Sequence, residues 1–257
     1  MKSIESARRF SAWRLNVMSF GFVAMAGMLT TFTQGNDSKP TEVTAVSLMK
    51  QAHDGRAEWH EFPGFRAALR VSVDGVAVEG AVSVSREGDV KVELPAGDSF
   101  AWVTSTLKSI VGHRLSSDGA IETVAFADEN TVHPLGRLLK STEASDKSLW
   151  RVQGDLLTEV HRFNDKTRFV ISVVDVSRNV EGKHLPKNFS ITTWDAVSGQ
   201  IRSSRQVSNE WVRVGKIDLP VKLRAVICKD DGSRRVEQIE LLNPELLPAN
   251  ASAAAAR

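Results

Sequence analysis

From Phe65 the chain alternates. Phe65, Ala67, Leu69, Val71 and Val73 are apolar, and Arg66, Ala68, Arg70 and Ser72 fall between them. A period of two puts every second side chain on one face, so this is a strand with one buried side. Asp74-Gly75 then supplies the positive φ angles of a two-residue hairpin. The return strand carries Val76, Val78, Val82 and Val84 on one face. After "REGD" a third strand carries Val90, Val92 and Leu94. The three make an antiparallel meander, buried on one side and wet on the other.

Two segments switch to the helical period. In "TAVSLMKQAHDG" Thr44 can cap, Ala45, Leu48, Met49 and Ala52 share a face, and Gly55 stands where a left-handed C-cap belongs. The second predicted helix runs from Ser99 to Val111. Asp98 or Ser99 can cap it, Gly112 ends it, and Phe100, Val103, Leu107, Ile110 and Val111 form its apolar stripe. Ser105 and Lys108 read as its outward, wet side. The stripe needs a partner, and the concave face of the sheet is the obvious one.

The remainder reads as strand and turn. "IETVAF", "SLWRV", "LLTEVHRF", "TRFVISVVDV", "NFSITTW", "GQIRSSRQVSNEWV", "LPVKLRAVI" and "RRVEQIEL" are separated by polar turns such as "NDK", "DAVSG" and "KDDGS". "TRFVISVVDV" is apolar on both faces near its centre, as expected of a central strand covered on both sides. Turns every 8–12 residues or so indicate a meandering sheet or barrel. No βαβ rhythm appears, which argues against a dinucleotide fold. The predicted class is mainly β (α+β), with a strongly curved antiparallel sheet of about ten to eleven strands wrapped around two or more helices. Residues 44–242 are expected to form this one domain, with a small-residue tail over 243–257.

Charge sets the compartment more than the chemistry. The formal net charge is +2, but residues 1–34 hold Lys2, Arg8, Arg9 and Arg14 against Glu5, leaving the rest at −1. The chain therefore lacks the basic balance of a nucleic-acid binder, and no nucleic-acid partner is expected. The positive start followed by the apolar run Leu15–Phe32 reads as an export signal. The run spans 18 residues, the lower limit for crossing a bilayer. A cleaved signal and a retained anchor that ties the protein to a membrane both remain open. Residues 35–43 read as the linker that follows. The expected localisation is exported, periplasmic or in the cell envelope. Cys228 is the only cysteine, so the fold rests on a buried core and not on an internal disulfide.

Candidate chemistry is sparse. His53, Glu58 and His60 are close in sequence, but no His-x-x-x-His or His-x-His pair exists, and a polar helix end is the better reading. Gly-x-Ser-x-Gly is absent, Cys228 lies at a strand end beside a turn, and Asp230-Asp231-Gly232 suits a hairpin. No catalytic residue, metal ligand or cofactor is expected. Arg66 with Arg70, and Lys222 with Arg224, make basic strand faces whose plain reading is solvation. In "GRAEWHEFPGF", Pro63-Gly64 turns the chain into the first strand. Trp59, Phe62 and Phe65 flank that corner, where they either plug one end of the sheet or form a lip over a ligand.

These features carry a resemblance. The helix before the first long strand, the inserted amphipathic helix and the hairpins from Trp194 to Val226 resemble the lipoprotein-carrier-like (LolA-like) half-barrel. "QAHDGRAEW", "FPGFRAALRVSVDG", "EGAVSVSREGDVKVEL" and "EVHRF…RFVISVVDV" are similar to a bacterial family, domain of unknown function 3386, over about Val46 to Leu241. The resemblance implies the fold and brings no catalytic residues. Its implication for function is a non-enzymatic domain that binds a lipid or other apolar small molecule. Trp59, Phe62, Phe65, Val103, Leu107 and Ile110 are then the candidate ligand contacts. The alternative is an envelope interaction or sensor domain whose core is filled by its own side chains, and a metal-assisted hydrolase is the third reading.

Overall fold

The computed structural model describes residues 43–95, 100–115 and 123–248. The leader, nearly all of the linker and the last nine residues lie outside them, as do the caps proposed at Asp98 and Ser99.

Helix α1 (Ala45–Asp54) begins as its sequence indicates. The Thr44 hydroxyl accepts from the Ser47 amide, and the Ser47 side chain accepts from the Thr44 amide. Its buried residues are Ala45, Leu48, Met49 and Ala52. The end differs from expectation. Gly55 has φ −71°, an ordinary right-handed value. Glycine is needed there because a Cβ would collide with the backbone carbonyl of Asp155.

Strands β1 (Phe65–Val73), β2 (Val76–Val84) and β3 (Val90–Glu93) form the predicted meander. Phe65, Ala67, Leu69 and Val71 face the core. The first hairpin turns at Asp74 and Gly75, both at positive φ. Helix α2 (Ala101–Arg114) follows and runs through Gly112 to Arg114, three residues beyond the predicted end. Then come β4 (Val124–Phe126), β5 (Arg137–Ser141), β6 (Leu149–Gln153), β7 (Leu156–Phe163), β8 (Thr167–Arg178), β9 (His184–Asp195), β10 (Ile201–Val214), β11 (Ile217–Lys229) and β12 (Arg234–Leu246).

All twelve strands lie in one open antiparallel sheet, ordered β3-β2-β1-β12-β11-β10-β9-β8-β7-β6-β5-β4. The expected number was ten to eleven. The extra strand is β5, "RLLKS", whose adjacent leucines break the alternation that reveals the others. Neighbouring strands follow chain order except once, where β1 pairs β12 from Phe65↔Leu246 to Val73↔Glu237. The domain boundary expected at 242 falls inside β12.

The helices divide the inner face of the sheet. Val103, Leu107 and Val111 of α2 pack with β1, β2, β3, β11 and β12 in the larger apolar cluster. Helix α1 packs on Val124, Leu139 and Val152 in the smaller one, at the β4–β7 end. Strands β8 and β9 contribute no side chain to either cluster, and β10 only its last residue, Val214. Between the two cores the sheet is left without a covering layer. This corrects the reading of "TRFVISVVDV". The central residues of that strand are half-buried and packed in neither core, and Val174 on its outer face is 72% exposed.

Candidate functional site

The uncovered stretch is the floor of a cavity of about 600 Å³. Its floor comes from alternating inward residues of four adjacent strands. Val160 of β7 pairs Ile171 of β8, which pairs Ile191 of β9. One step along, Val173 pairs Phe189, which pairs Val207 of β10. Two register shifts flank the Asp175–Asn188 pair, one adding Val174 in β8 and the other Lys187 in β9, and they move the inward phase to Val176, which pairs Pro186. The opposite wall is the polar side of α2: Ser105, Thr106, Ser109 and His113, together with Ile110 and Arg114. Trp150, Phe169, Trp211 and Leu223 add to the apolar lining.

The charged groups on the wall are unevenly matched. Arg56, Arg114, Arg162 and Arg205 line the cavity, and Asp155 is the one carboxylate among the described lining residues. Arg56 pairs Glu58 at 2.8 Å, and Arg205 pairs the buried Glu237 at 3.3 Å. Asp155 lies 3.0 Å from His184 and 3.2 Å from Arg178. These two partners, His184 first, hold its carboxyl down at about 2. Arg114 is only 7% exposed and donates to the Ala57 carbonyl at 2.8 Å, while its guanidinium lies over Trp211. Burial, with Arg56 second, pushes its pKa down to about 10, so it remains charged at neutral pH. His113 lies below its ordinary value because burial disfavours the imidazolium, and Arg114, Arg56 and Arg162 add repulsion. Water reaches its ring through the open cavity, although protein surrounds it.

Of the six candidate contacts, only Ile110 is on the cavity wall. Val103 and Leu107 point into the larger core. Trp59, Phe62 and Phe65 are buried there too. Trp59 stacks on Phe62 with ring centres 4.7 Å apart, and Phe65 meets both edge-on. The Trp59 indole donates to the Asp218 carbonyl at 2.9 Å. The aromatic corner is thus a plug and not a lip. Gly64, at φ +90°, makes the turn that sets it. The floor residues were visible as alternating apolar positions, but nothing in the pattern distinguished an uncovered face from a packed one.

The His53–Glu58–His60 group is not a metal site. The Arg56 guanidinium contacts His53 at 2.9 Å and Glu58 at 2.8 Å, occupying the space with a cation, and His60 is exposed. Among the described residues no three His, Cys, Asp or Glu side chains converge to hold a metal ion. Cys228 is exposed. The basic strand faces are largely paired: Arg66 with Glu245, Lys222 with Glu240, and Arg202 with Asp195 and Asp230. Among the described residues no helix is long and apolar enough to cross a membrane.

The class is mainly β: one open antiparallel sheet of twelve strands with two helices packed on it and a cavity beside the second. The chain belongs to the family described as a protein of unknown function, DUF3386, whose model matches residues 40–247. No curated protein matches. Among solved structures, a LolA superfamily protein from Nitrosomonas europaea is similar at 9% identity and a TM-score of 0.27, covering 80% of this chain and 95% of that one.

Proposed function

We propose that this chain is a non-enzymatic binding protein that holds a lipid or lipid-like molecule in the cavity between α2 and strands β7 to β10. One observation carries the reading: Val160, Phe169, Ile171, Val173, Phe189 and Ile191 form a continuous apolar floor that belongs to neither core. All six are only half-buried. Covering such a surface with a ligand gains about 25 cal/mol per Å² of apolar area. The cavity volume lies within the range of about 300–1,000 Å³ usual for small-molecule sites. The basic, then apolar, start of the chain supports export, and the cell envelope is where a carrier of this kind would work.

The test uses Nile red, an uncharged apolar dye. The protein is expected to bind it saturably with a rise in fluorescence. Ile171→Trp fills the middle of the floor and should abolish the signal while the variant still melts cooperatively, overpacking costing about 1–3 kcal/mol. No dye binding by the wild type, or unchanged binding by a folded Ile171→Trp, would overturn the reading.

A further inference from the structure

We propose that the ligand is an anionic amphiphile whose carboxylate or phosphate head is held by Arg114 and Arg162 while its chain lies on the apolar floor. This inference rests on the cavity being a binding site, as proposed above, and adds the chemistry of what enters it.

Two of the cavity's four arginines stand in no ion pair among the described residues. Of the four arginines on the wall, Arg56 and Arg205 are matched by Glu58 and Glu237. Among the described residues no carboxylate forms an ion pair with Arg114 or Arg162. Arg114 is more than nine-tenths buried, and the one described hydrogen bond of its guanidinium goes to a neutral carbonyl, that of Ala57. The two carboxylates whose fields reach it, Glu58 and Asp218, are already engaged: Glu58 by Arg56, and Asp218 by Arg213 at 2.7 Å and Asn179 at 2.9 Å. Arg162 has a buried Nη1 with no hydrogen-bond partner, and its guanidinium lies over Trp150, 5.0 Å from the ring centre.

A buried cation without a partner is costly, and proteins normally match it. Arg114 is such a cation, and Arg162 on the same cavity is half-buried with its Nη1 unpartnered, so the two mark a place prepared for negative charge. They also act together. Both line the same cavity as His113, whose pKa is depressed by burial and then by Arg114, Arg56 and Arg162. A guanidinium offers paired N–H donors that fit a carboxylate or phosphate edge, and Trp211 and Trp150 beneath the two planes hold the donors in place. The serine and threonine hydroxyls of Ser105, Thr106 and Ser109 on the same wall can donate to further oxygens of the head. A free inorganic anion would leave the adjoining floor uncovered, and an uncharged lipid would leave the arginines unmatched. A head and a chain in one molecule answer both.

The experiment compares laurate, dodecyl phosphate and the uncharged 1-lauroylglycerol, each titrated calorimetrically below its micelle concentration, with inorganic phosphate as the chainless control. Laurate or dodecyl phosphate should bind at least about tenfold more tightly than the glyceride, the scale expected for one charge-assisted contact. The preference between those two identifies the head. Inorganic phosphate should bind far more weakly than dodecyl phosphate. Arg162→Gln and Arg114→Gln should each weaken anion binding about tenfold and leave glyceride binding unchanged. Arg162 is the less buried of the two, so its variant keeps the test open should Arg114→Gln fail to fold. Equal binding of anion and glyceride, anion binding indifferent to Arg162→Gln, or phosphate binding as tightly as dodecyl phosphate would each overturn the inference and leave the cavity reading standing. Binding of none of the four would overturn both.

Discussion

Single residues show how far local rules reach. Thr44 was readable as a cap because a capping box depends only on neighbours in sequence. Gly55 was readable as a necessary glycine, but for the wrong reason. Its φ of −71° is open to any residue, and what excludes a side chain is Asp155, one hundred residues away. Gly→Ala at an ordinary right-handed position usually stabilises by about 0.4–1 kcal/mol. Gly55→Ala should instead destabilise, and a gain in a urea melt would contradict the packing described. Leu69, 1% exposed, should cost about 2–5 kcal/mol when changed to Ala, whereas the exposed Arg70→Ala should cost little. His113 carries a pH signature. Its folded pKa lies below the ordinary 6.5, so the unfolded chain binds more protons between the two values. The stability it contributes is complete above about 6.5 and is lost as pH falls through the folded value. The effect is modest because water reaches the ring. An NMR titration of the His113 ring should give a midpoint below 6.5, and a midpoint at or above it would contradict the cationic surroundings assigned here.

At the scale of the element, periodicity reveals which side chains share a face, but it does not reveal what lies opposite. The stripe of α2 was legible, and Val103, Leu107 and Val111 pack as it indicates. The other side of the helix was read as a solvated cover, whereas Ser105, Thr106, Ser109 and His113 form a cavity wall. Strand β8 makes the same point. Its apolar residues on both faces suggested double cover, but the inner set floors a cavity and Val174 on the outer face is open to water. Val174→Lys should therefore change stability by no more than about 0.5 kcal/mol in denaturant melts. A loss as large as that of Leu69→Ala would mean that something packs on the outer face. Strand β5 escaped notice because "RLLKS" is short and does not alternate.

For the whole molecule, the hairpins were legible because each turn lies between the strands it joins. The pairing of β1 with β12 was not, since it joins segments from opposite ends of the domain. That pairing makes the sheet long enough to carry two cores with a gap between them, each core holding one helix. The gap is the proposed site, and no single segment of sequence contains it. Its residues come from α1, α2 and strands β6 to β11 and meet only in the folded sheet. On the proposed function, this gap is filled by a molecule from outside the chain. Native mass spectrometry of the protein purified from its own host tests this directly. The account predicts a population heavier than the polypeptide by the mass of one non-covalently bound lipid or amphiphile, lost in the Ile171→Trp variant. A bare polypeptide mass under conditions that preserve the fold, with no uptake of added Nile red or laurate, would contradict it.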